Sequence, residues 1–266
     1  MSQIFSQFFD FGVMADNFGD IWKGFEQTLL LSGIAGALSL AWGLVLAVLR
    51  QLPGRAFAPI RFVTIAYIDA FRGIPLLMIL LLVNGSLGAL NGDPLPQWLA
   101  IPDWFGEPYQ FWYGIFAITL TYGAYMAEVY RAGIESIPDG QMEAARSLGM
   151  NHSQSMRRII VPQAVRTVVP PLLNDFIALM KDTSLVSFLG FVEVTQAGQD
   201  VYQNDYNVSG LTLGAIFFLI FTLPLARVVD RLIAKQQARY SRGGGGPIPE
   251  PATAGAAGTG QTGGPV

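Results

Sequence analysis

Long apolar runs separated by polar connections dominate the hydrophobic pattern of the chain. The clearest run covers residues 28–49, which contain no charged side chain. As a helix rising about 1.5 Å per residue, this run would extend about 33 Å and cross the hydrocarbon core of a bilayer. Four further runs follow, at residues 65–90, 111–127, 168–189 and 211–226. The pattern predicts an all-α membrane protein with about five transmembrane helices.

The composition of the chain is also typical of a membrane protein. Hydrophobic residues make up 52% of the 266 positions and charged residues only 13%, and the mean hydropathy is +0.41. The first apolar run is too long for a cleaved signal peptide, so we expect the first helix to direct insertion. Because the chain has no cysteine and only one histidine, His152, we expect no disulfide, thiolate metal site or histidine metal site.

Among the connections between the apolar runs, lysine and arginine occur only in alternate ones. They lie in the first connection, in the third and after the last run, whereas the second connection (91–110) and the fourth (191–210) contain only acidic charges. Short connections rich in Lys and Arg stay in the cytoplasm. With five spans, this alternation predicts an outside N-terminus and a cytoplasmic C-terminus. The net charge of −3 averages the two sides of a membrane and says little about partners, among which we expect no nucleic acid.

The two ends of the chain differ from the apolar centre. Residues 1–26 are rich in Phe with scattered Asp, which predicts a segment at the outer membrane interface, although an inert lead-in explains the composition equally well. Residues 27–235 form the predicted transmembrane domain. Residues 236–266 end in Gly, Pro, Ala and Thr, which predicts a disordered cytoplasmic tail because such a segment cannot bury a core.

Small residues recur at every fourth position of the first run, at Ser39, Gly43 and Ala47. Positions four apart lie on one face of a helix, and small side chains there allow another helix to approach closely. We therefore interpret this stripe as a helix-packing face rather than a substrate contact.

The third connection is long and carries helix signals of its own. Ser136, followed by Pro138 and by Asp139 three residues after it, predicts a helix start capped by the serine hydroxyl. Gly149 predicts a left-handed stop, and Ser153 a cap for a second helix that Pro162 ends. The helical period places one apolar face on Met142, Ala144, Ala145 and Leu148, and a second on Met156, Ile159 and Ile160. These signals predict a cytoplasmic helix–turn–helix.

The residues of this unit resemble the EAA loop of ABC importer permeases. The match consists of Glu143-Ala144-Ala145, Gly149 and the sequence Ile159-Ile160-Val161-Pro162. The resemblance implies a type I ABC importer fold in which the first short helix docks into a groove of a cytoplasmic ATPase. It assigns this coupling to Glu143, Ala144, Ala145, Leu148, Gly149 and Pro162. From periodicity alone, a helix lying on the lipid surface would explain the pattern equally well.

Further stretches are similar to one branch of that family, the permeases for polar amino acids of the histidine, glutamine, glutamate and arginine type. They begin at Phe71-Arg72-Gly73-Ile74-Pro75, at Tyr122-Gly123-Ala124-Tyr125 and at Lys181-Asp182-Thr183-Ser184. Together the matching stretches cover roughly residues 28–232. Asp175 departs from the family, in which Glu is more frequent at this position. The resemblance places the chain in the bacterial inner membrane.

Charged residues within or beside the apolar runs mark a candidate substrate path. Arg72, Asp175, Lys181 and Asp182 are such residues, and unpaired charge inside a membrane usually faces a cavity or a partner. Asp175 and Asp182 share a helix face, so Lys181 is a candidate for a substrate carboxylate and the aspartates for its ammonium group. Salt bridges that fix helix packing are the alternative.

Two further features belong to the candidate path. Gly73 and Pro75 predict a break or kink that exposes backbone groups to substrate, or that is purely structural. Ser184 joins the path through the family stretch that contains it.

The resemblance also implies the mechanism and the partners. The chain has no phosphate-binding G-x-x-x-x-G-K-[ST] loop, so we expect it to be no enzyme and to hold no cofactor. ATP and Mg would be bound by a partner ATPase dimer, whose closure drives alternating access. A second permease subunit, identical or related, an extracytoplasmic amino-acid-binding protein and membrane lipid complete the expected partners.

Three other interpretations of the sequence stay open. A permease for methionine or an inorganic anion would use the same coupling loop. An intramembrane enzyme is disfavoured because the usual nucleophile and metal motifs are missing. A membrane anchor for an ATPase would retain ATPase binding without transport.

Overall fold

The computed structural model describes residues 2–92 and 108–242, and within these ranges the regular elements are all helices. The first half contains α1 (Ser2–Phe8), α2 (Phe11–Asp16), α3 (Phe18–Arg50), α4 (Ala58–Gly73) and α5 (Leu76–Gly92). The second half contains α6 (Tyr109–Glu135), α7 (Asp139–Ser147), α8 (His152–Ser155), α9 (Val161–Asp182), α10 (Val194–Asp205) and α11 (Ser209–Arg242). Most of the predicted second connection, residues 93–107, lies outside the described residues.

Two of the described helices, Phe18–Arg50 and Ser209–Lys235, are long and apolar enough to cross a membrane. A third span exists if the bent pair Arg55–Gly73 and Leu76–Leu87 counts as one. Helices α6 and α9 have 27 and 22 residues, which is long enough, but polar side chains lower their hydropathy. Within the described residues, the prediction of an all-helical protein with helices that are long and apolar enough for a membrane is therefore confirmed.

The second predicted run is broken where Gly73 and Pro75 stand. Helix α4 ends at Gly73, Ile74 is extended (φ −96°, ψ 132°), and α5 starts at Leu76 with its axis turned by 108°. The residue before a proline is disfavoured in the helical region, which explains why the chain leaves the helix at Ile74. The predicted break at this position is confirmed.

Helix α6 lies at the centre of the fold and packs along α3. The contact is close at Gly43, where an added Cβ would lie 2.8 Å from the Cβ of Met126 and 2.9 Å from the carbonyl oxygen of Gly123. Ser39, Gly43 and Ala47 are all buried. Small residues at these positions allow the two backbones to meet, so the stripe is a packing face, as predicted.

The helix–turn–helix exists, and Gly149 ends its first part with a positive φ of 79°. Its caps differ from the prediction. The hydroxyl of Ser136 donates to the carbonyl of Gly133 at the end of α6 instead of capping α7. The second helix is capped by Asn151 and Gln154, whose side chains accept from each other's backbone N–H, so the cap predicted at Ser153 is wrong. Serine hydroxyls also bond to preceding carbonyls, which a sequence pattern does not distinguish from capping.

Pro162 does not end the second helix, which is a further correction. The backbone stays helical from α8 through a wide π-turn at Met156–Ile160 into α9. In a regular α-helix the proline ring would clash with the carbonyl four residues earlier, and a π-turn displaces that carbonyl. The coupling unit is therefore continuous with α9.

The first and last long helices extend beyond the predicted boundaries of the transmembrane domain, residues 27–235. The first long helix begins at Phe18, and the segment before it is held to the start of α11, where the backbone N–H of Asp10 donates to Ser209 Oγ at 2.8 Å. Helix α11 continues to Arg242, seven residues into the predicted tail, because the glycine run begins only at Gly243. Residues 243–266 lie outside the described residues.

Candidate functional site

A cavity of about 390 Å³ opens where the break between α4 and α5 meets α6 and α9. Its walls combine charged, aromatic and backbone groups. The lining residues are Arg72, Gly73, Ile74, Pro75, Leu76, Thr121, Tyr122, Tyr125, Asp175, Ala178 and Asp182. The break thus brings exposed backbone and three charged side chains, Arg72, Asp175 and Asp182, to one space.

Arg72 provides the positive charge of this cavity. Its guanidinium carbon lies 5.7 Å from the centre of the Tyr125 ring, a cation–π distance, and the Tyr125 hydroxyl donates to the Arg72 backbone carbonyl at 3.3 Å. One guanidinium nitrogen lies 4.0 Å from Glu128. These contacts hold Arg72 at the end of α4 while its side chain remains 39% exposed.

The two aspartates of α9, Asp175 and Asp182, line the same cavity. The hydroxyl of Tyr122 donates to Asp182 Oδ2 at 2.8 Å. Asp175 Oδ2 is buried and has no hydrogen-bond partner among the described residues. Asp175, Ala178 and Asp182 are spaced by three and four residues along α9, which explains why they share one face.

Lys181 and Ser184 do not line the cavity. Lys181 is exposed, and Ser184 is half-buried in the short 3₁₀ segment Thr183–Leu189 that follows α9. Lys181 follows Met180, which is buried, and precedes Asp182, so it is rotated about 100° from the cavity-facing aspartate. In this structure the cation beside the aspartates is Arg72 instead.

A charge network lies beside the cavity and was not identified as a site from the sequence. Glu128 of α6 forms ion pairs with Arg50 at the end of α3 and with Arg131, the latter at 2.8 Å. Arg131 also pairs with Glu135, the last residue of α6. The only sequence signal was Glu128 standing at the end of an apolar run. The network joins the cavity wall to the part of α6 that leads into the coupling unit.

The predicted apolar face of α7 is divided between two surfaces. Ala145 is buried and Met142 packs partly against Ile137, Ile160 and Ala164. Ala144 and Leu148 face outward, and the Leu148 side chain is 81% exposed. Glu143 and Gly149 are exposed as well. One side of α7 is thus attached to the permease, and the other presents an uncovered leucine.

Residues 39–241 match the sequence profile of the family described as binding-protein-dependent transport system inner membrane component. The chain belongs to this family. Members of this family form the membrane component of their transport systems, which agrees with a chain that is not the catalytic subunit. The resemblance to ABC importer permeases is confirmed.

Named members of this family are amino acid permeases. The "Probable glutamine ABC transporter permease protein GlnM" of Bacillus subtilis is 38% identical over 86% of this chain and 98% of its own length. The glutamate/aspartate import permease protein GltK of Escherichia coli O157:H7 is 34% identical over 80% of this chain and 92% of its own length. These relatives confirm the resemblance to amino acid permeases.

Two solved structures of transporters agree with the fold. A crystal structure of an amino acid ABC transporter with histidines aligns with a TM-score of 0.74 and 31% identity, over 85% of this chain and 99% of the other. A MetNI methionine ABC transporter in an inward-facing form aligns with a TM-score of 0.57 and 20% identity, over 82% of this chain and 94% of the other. The second match shows a shared fold only.

Proposed function

We propose that this chain is the permease subunit of an ATP-driven importer of polar amino acids and forms the translocation path. The observation that carries the proposal is the cavity at the helix break, where Arg72 faces a wall that contains Asp175 and Asp182. An amino acid has one carboxylate and one ammonium group, and this pair of charges matches the two walls. The amino acid permeases among the relatives support the same substrate class.

Arg72 binds the substrate carboxylate because a guanidinium offers a fork of donors that fits a carboxylate. Asp182 or Asp175 binds the ammonium group. The break at Gly73 and Pro75 adds free backbone groups, as broken helices do at transporter sites. Lys181 directly precedes Asp182 and Ser184 follows it by two residues, and both belong to the path in a conformation other than the present one.

The charge pattern and the helices together support five spans with an outside N-terminus and a cytoplasmic C-terminus. The spans are α3, the bent pair α4 and α5, α6, α9 with its 3₁₀ extension, and α11. Residues 1–26 lie at the outer interface and contact lipid through exposed phenylalanines such as Phe5 and Phe11. Residues 27–235 form the transmembrane domain, and residues 236–266 belong to the cytoplasmic side.

The exposed face of α7 docks on a cytoplasmic ABC ATPase. Leu148 supplies the apolar contact, and Glu143 and Ala144 lie beside it on the exposed side. Movement of α7 passes through the turn at Gly149 to α8 and from there to the cavity, because the chain from α8 through Pro162 to α9 is helical without interruption. ATP and Mg bind to the ATPase dimer, and a second permease subunit and an extracytoplasmic binding protein complete the importer of the bacterial inner membrane.

A permease for an inorganic anion fits the cavity less well. Two aspartates would repel an anion, and a single arginine would have to overcome both. Methionine import is supported only by the similarity of the fold to that of a methionine ABC transporter. One fold serves many functions, so this similarity does not identify the substrate.

ATP-dependent uptake tests this function. The chain is purified with the proteins that it retains from its native membrane, reconstituted in proteoliposomes, and supplied with radiolabelled arginine, glutamine, glutamate, methionine or phosphate. We expect accumulation of at least one polar amino acid that requires ATP and is lost in Arg72→Gln. Accumulation of methionine or phosphate alone would contradict the proposal.

A further inference from the structure

The charges around the cavity do not balance. Beside it, Arg50 and Arg131 are paired with Glu128 and Glu135, and these four residues carry no net charge. What remains in the lining itself is one cation, Arg72, against two carboxylates. The cavity therefore has an excess of one negative charge.

Neighbouring side chains do not neutralise the excess negative charge of the cavity. Among residues 5–87 and 108–235, no ion pair within 4.0 Å joins a Lys or Arg to Asp175 or Asp182. Asp182 accepts a hydrogen bond from a neutral hydroxyl, that of Tyr122. Asp175 has a buried oxygen, Oδ2, without a hydrogen-bond partner in the same part of the chain. A buried carboxylate without a partner is costly, so a cationic group that enters the cavity is stabilised there.

The spacing of the aspartates suits an extended ligand. Asp175 and Asp182 are seven residues apart on one helix, which corresponds to about 10 Å along the axis at about 1.5 Å per residue. One ammonium group cannot contact both carboxylates across this distance unless their side chains converge. A ligand with two separate cationic groups reaches each of them.

We infer that the preferred substrate is a basic amino acid, of the arginine, ornithine or lysine class. Its carboxylate binds Arg72, and its α-ammonium and side-chain cation are divided between Asp182 and Asp175. The inference rests on the proposed function and deepens it by choosing among polar amino acids. A neutral amino acid leaves one carboxylate unmatched, and an acidic amino acid adds a further negative charge.

Equilibrium binding to the intact complex tests the inference. The permease with its retained ATPase is placed in lipid nanodiscs, and binding of radiolabelled arginine, lysine, glutamine and glutamate is measured at neutral pH. We expect arginine or lysine to bind about tenfold or more tightly than glutamine, and glutamate to bind most weakly. In Asp175→Asn, arginine affinity falls about tenfold and glutamine affinity falls less, so the preference for arginine is lost.

Two controls separate the possible results. Asp230→Asn removes an acid that is exposed on α11 and lies outside the cavity, and it leaves every affinity unchanged. A thermal unfolding midpoint of Asp175→Asn close to that of the wild type shows that the variant is folded. Glutamine or glutamate binding at least as tightly as arginine, or a basic preference that survives Asp175→Asn, overturns the inference but leaves the amino acid importer standing. Binding of no amino acid by the wild type overturns both.

Discussion

The hydroxyl of Tyr122 donates a hydrogen bond to Asp182 Oδ2 at 2.8 Å, across the cavity between α6 and α9. The two residues are 60 positions apart in the chain, and the bond fixes the direction in which the carboxylate points. A carboxylate that is oriented before substrate arrives loses less freedom on binding.

Removal of the Tyr122 hydroxyl is expected to lower substrate affinity. In Tyr122→Phe, we expect the KM of uptake to rise about fivefold, which corresponds to the loss of about 1 kcal/mol for one hydrogen bond. The measurement is uptake by proteoliposomes over a range of substrate concentrations. Tyr130→Phe is the matched control, because the Tyr130 hydroxyl donates to the carbonyl of Leu40 away from the cavity. An equal KM in both variants would exclude a role for the Tyr122–Asp182 bond in binding.

Loss of Glu128 destabilises the fold. The Glu128 side chain is 15% exposed and forms ion pairs with Arg50 and Arg131. Glu128→Gln therefore leaves the partly buried charge of Arg50 without its partner, whereas Arg131 keeps Glu135. Breaking a buried ion pair costs about 3 kcal/mol or more, which lowers the thermal unfolding midpoint. Thermal unfolding in detergent measures this change. Glu135→Gln removes a carboxylate that is 61% exposed, and we expect a much smaller effect. Equal effects of the two substitutions would show that burial of Glu128 is unimportant.

Leu148 is the docking contact for the ATPase. In Leu148→Asp, a charge replaces a side chain that is 81% exposed, so the permease stays folded while its apolar contact is lost. We expect the amount of ATPase that co-purifies with the permease to fall about tenfold or more, and Leu148→Met to retain it. Wild-type recovery of ATPase with the aspartate variant would mean that this face of α7 is not the docking surface.

Gly149 acts through its backbone conformation. Its φ of 79° is strained for other residues, while an added Cβ would meet no atom within 4 Å, so Gly149→Asp distorts the turn without a clash. We expect weaker ATPase association with membrane insertion intact. Gly140→Asp adds the same charge to α7, also into open space and without a positive φ, and we expect it to retain the ATPase. Similar losses in both variants would point to charge instead of conformation.

Gly43 is required for the approach of α3 to α6. Gly43→Ala would place Cβ 2.8 Å from the Cβ of Met126, and overpacking of this kind costs about 1 to 3 kcal/mol. We expect a lower thermal midpoint in detergent than for the wild type. Gly33→Ala on the same helix meets no atom within 4 Å and is expected to be neutral or slightly stabilising. A midpoint for Gly43→Ala equal to that of Gly33→Ala would contradict the close contact.

Several features followed from local chemistry and could be predicted from sequence. The length of the apolar runs predicted helices for a membrane, and a glycine and a proline on either side of Ile74 predicted the break. Asp175 and Asp182 share a face because any helix brings together residues seven apart. Gly149 adopts a left-handed conformation because glycine is the residue that does so at least cost.

Other features depend on contacts between distant parts of the chain. Tyr122 and Glu128 acquired their roles only when α6 packed against α9 and α3. Pro162 continues a helix because a π-turn before it makes room, and the outward position of Leu148 follows from the packing of Met142 and Ala145 on the α9 side.

The sequence by itself determined that the chain is an all-helical membrane protein of the ABC permease type, with a coupling loop and charges in its apolar runs. Only the tertiary structure decided which of those charges line the same cavity. The sequence favoured Lys181 as the cation for a substrate carboxylate, whereas the structure places Arg72 in the cavity with the two aspartates. Helical periodicity determines the face that a residue occupies, whereas its partner depends on how separate helices pack, and no local pattern records that packing.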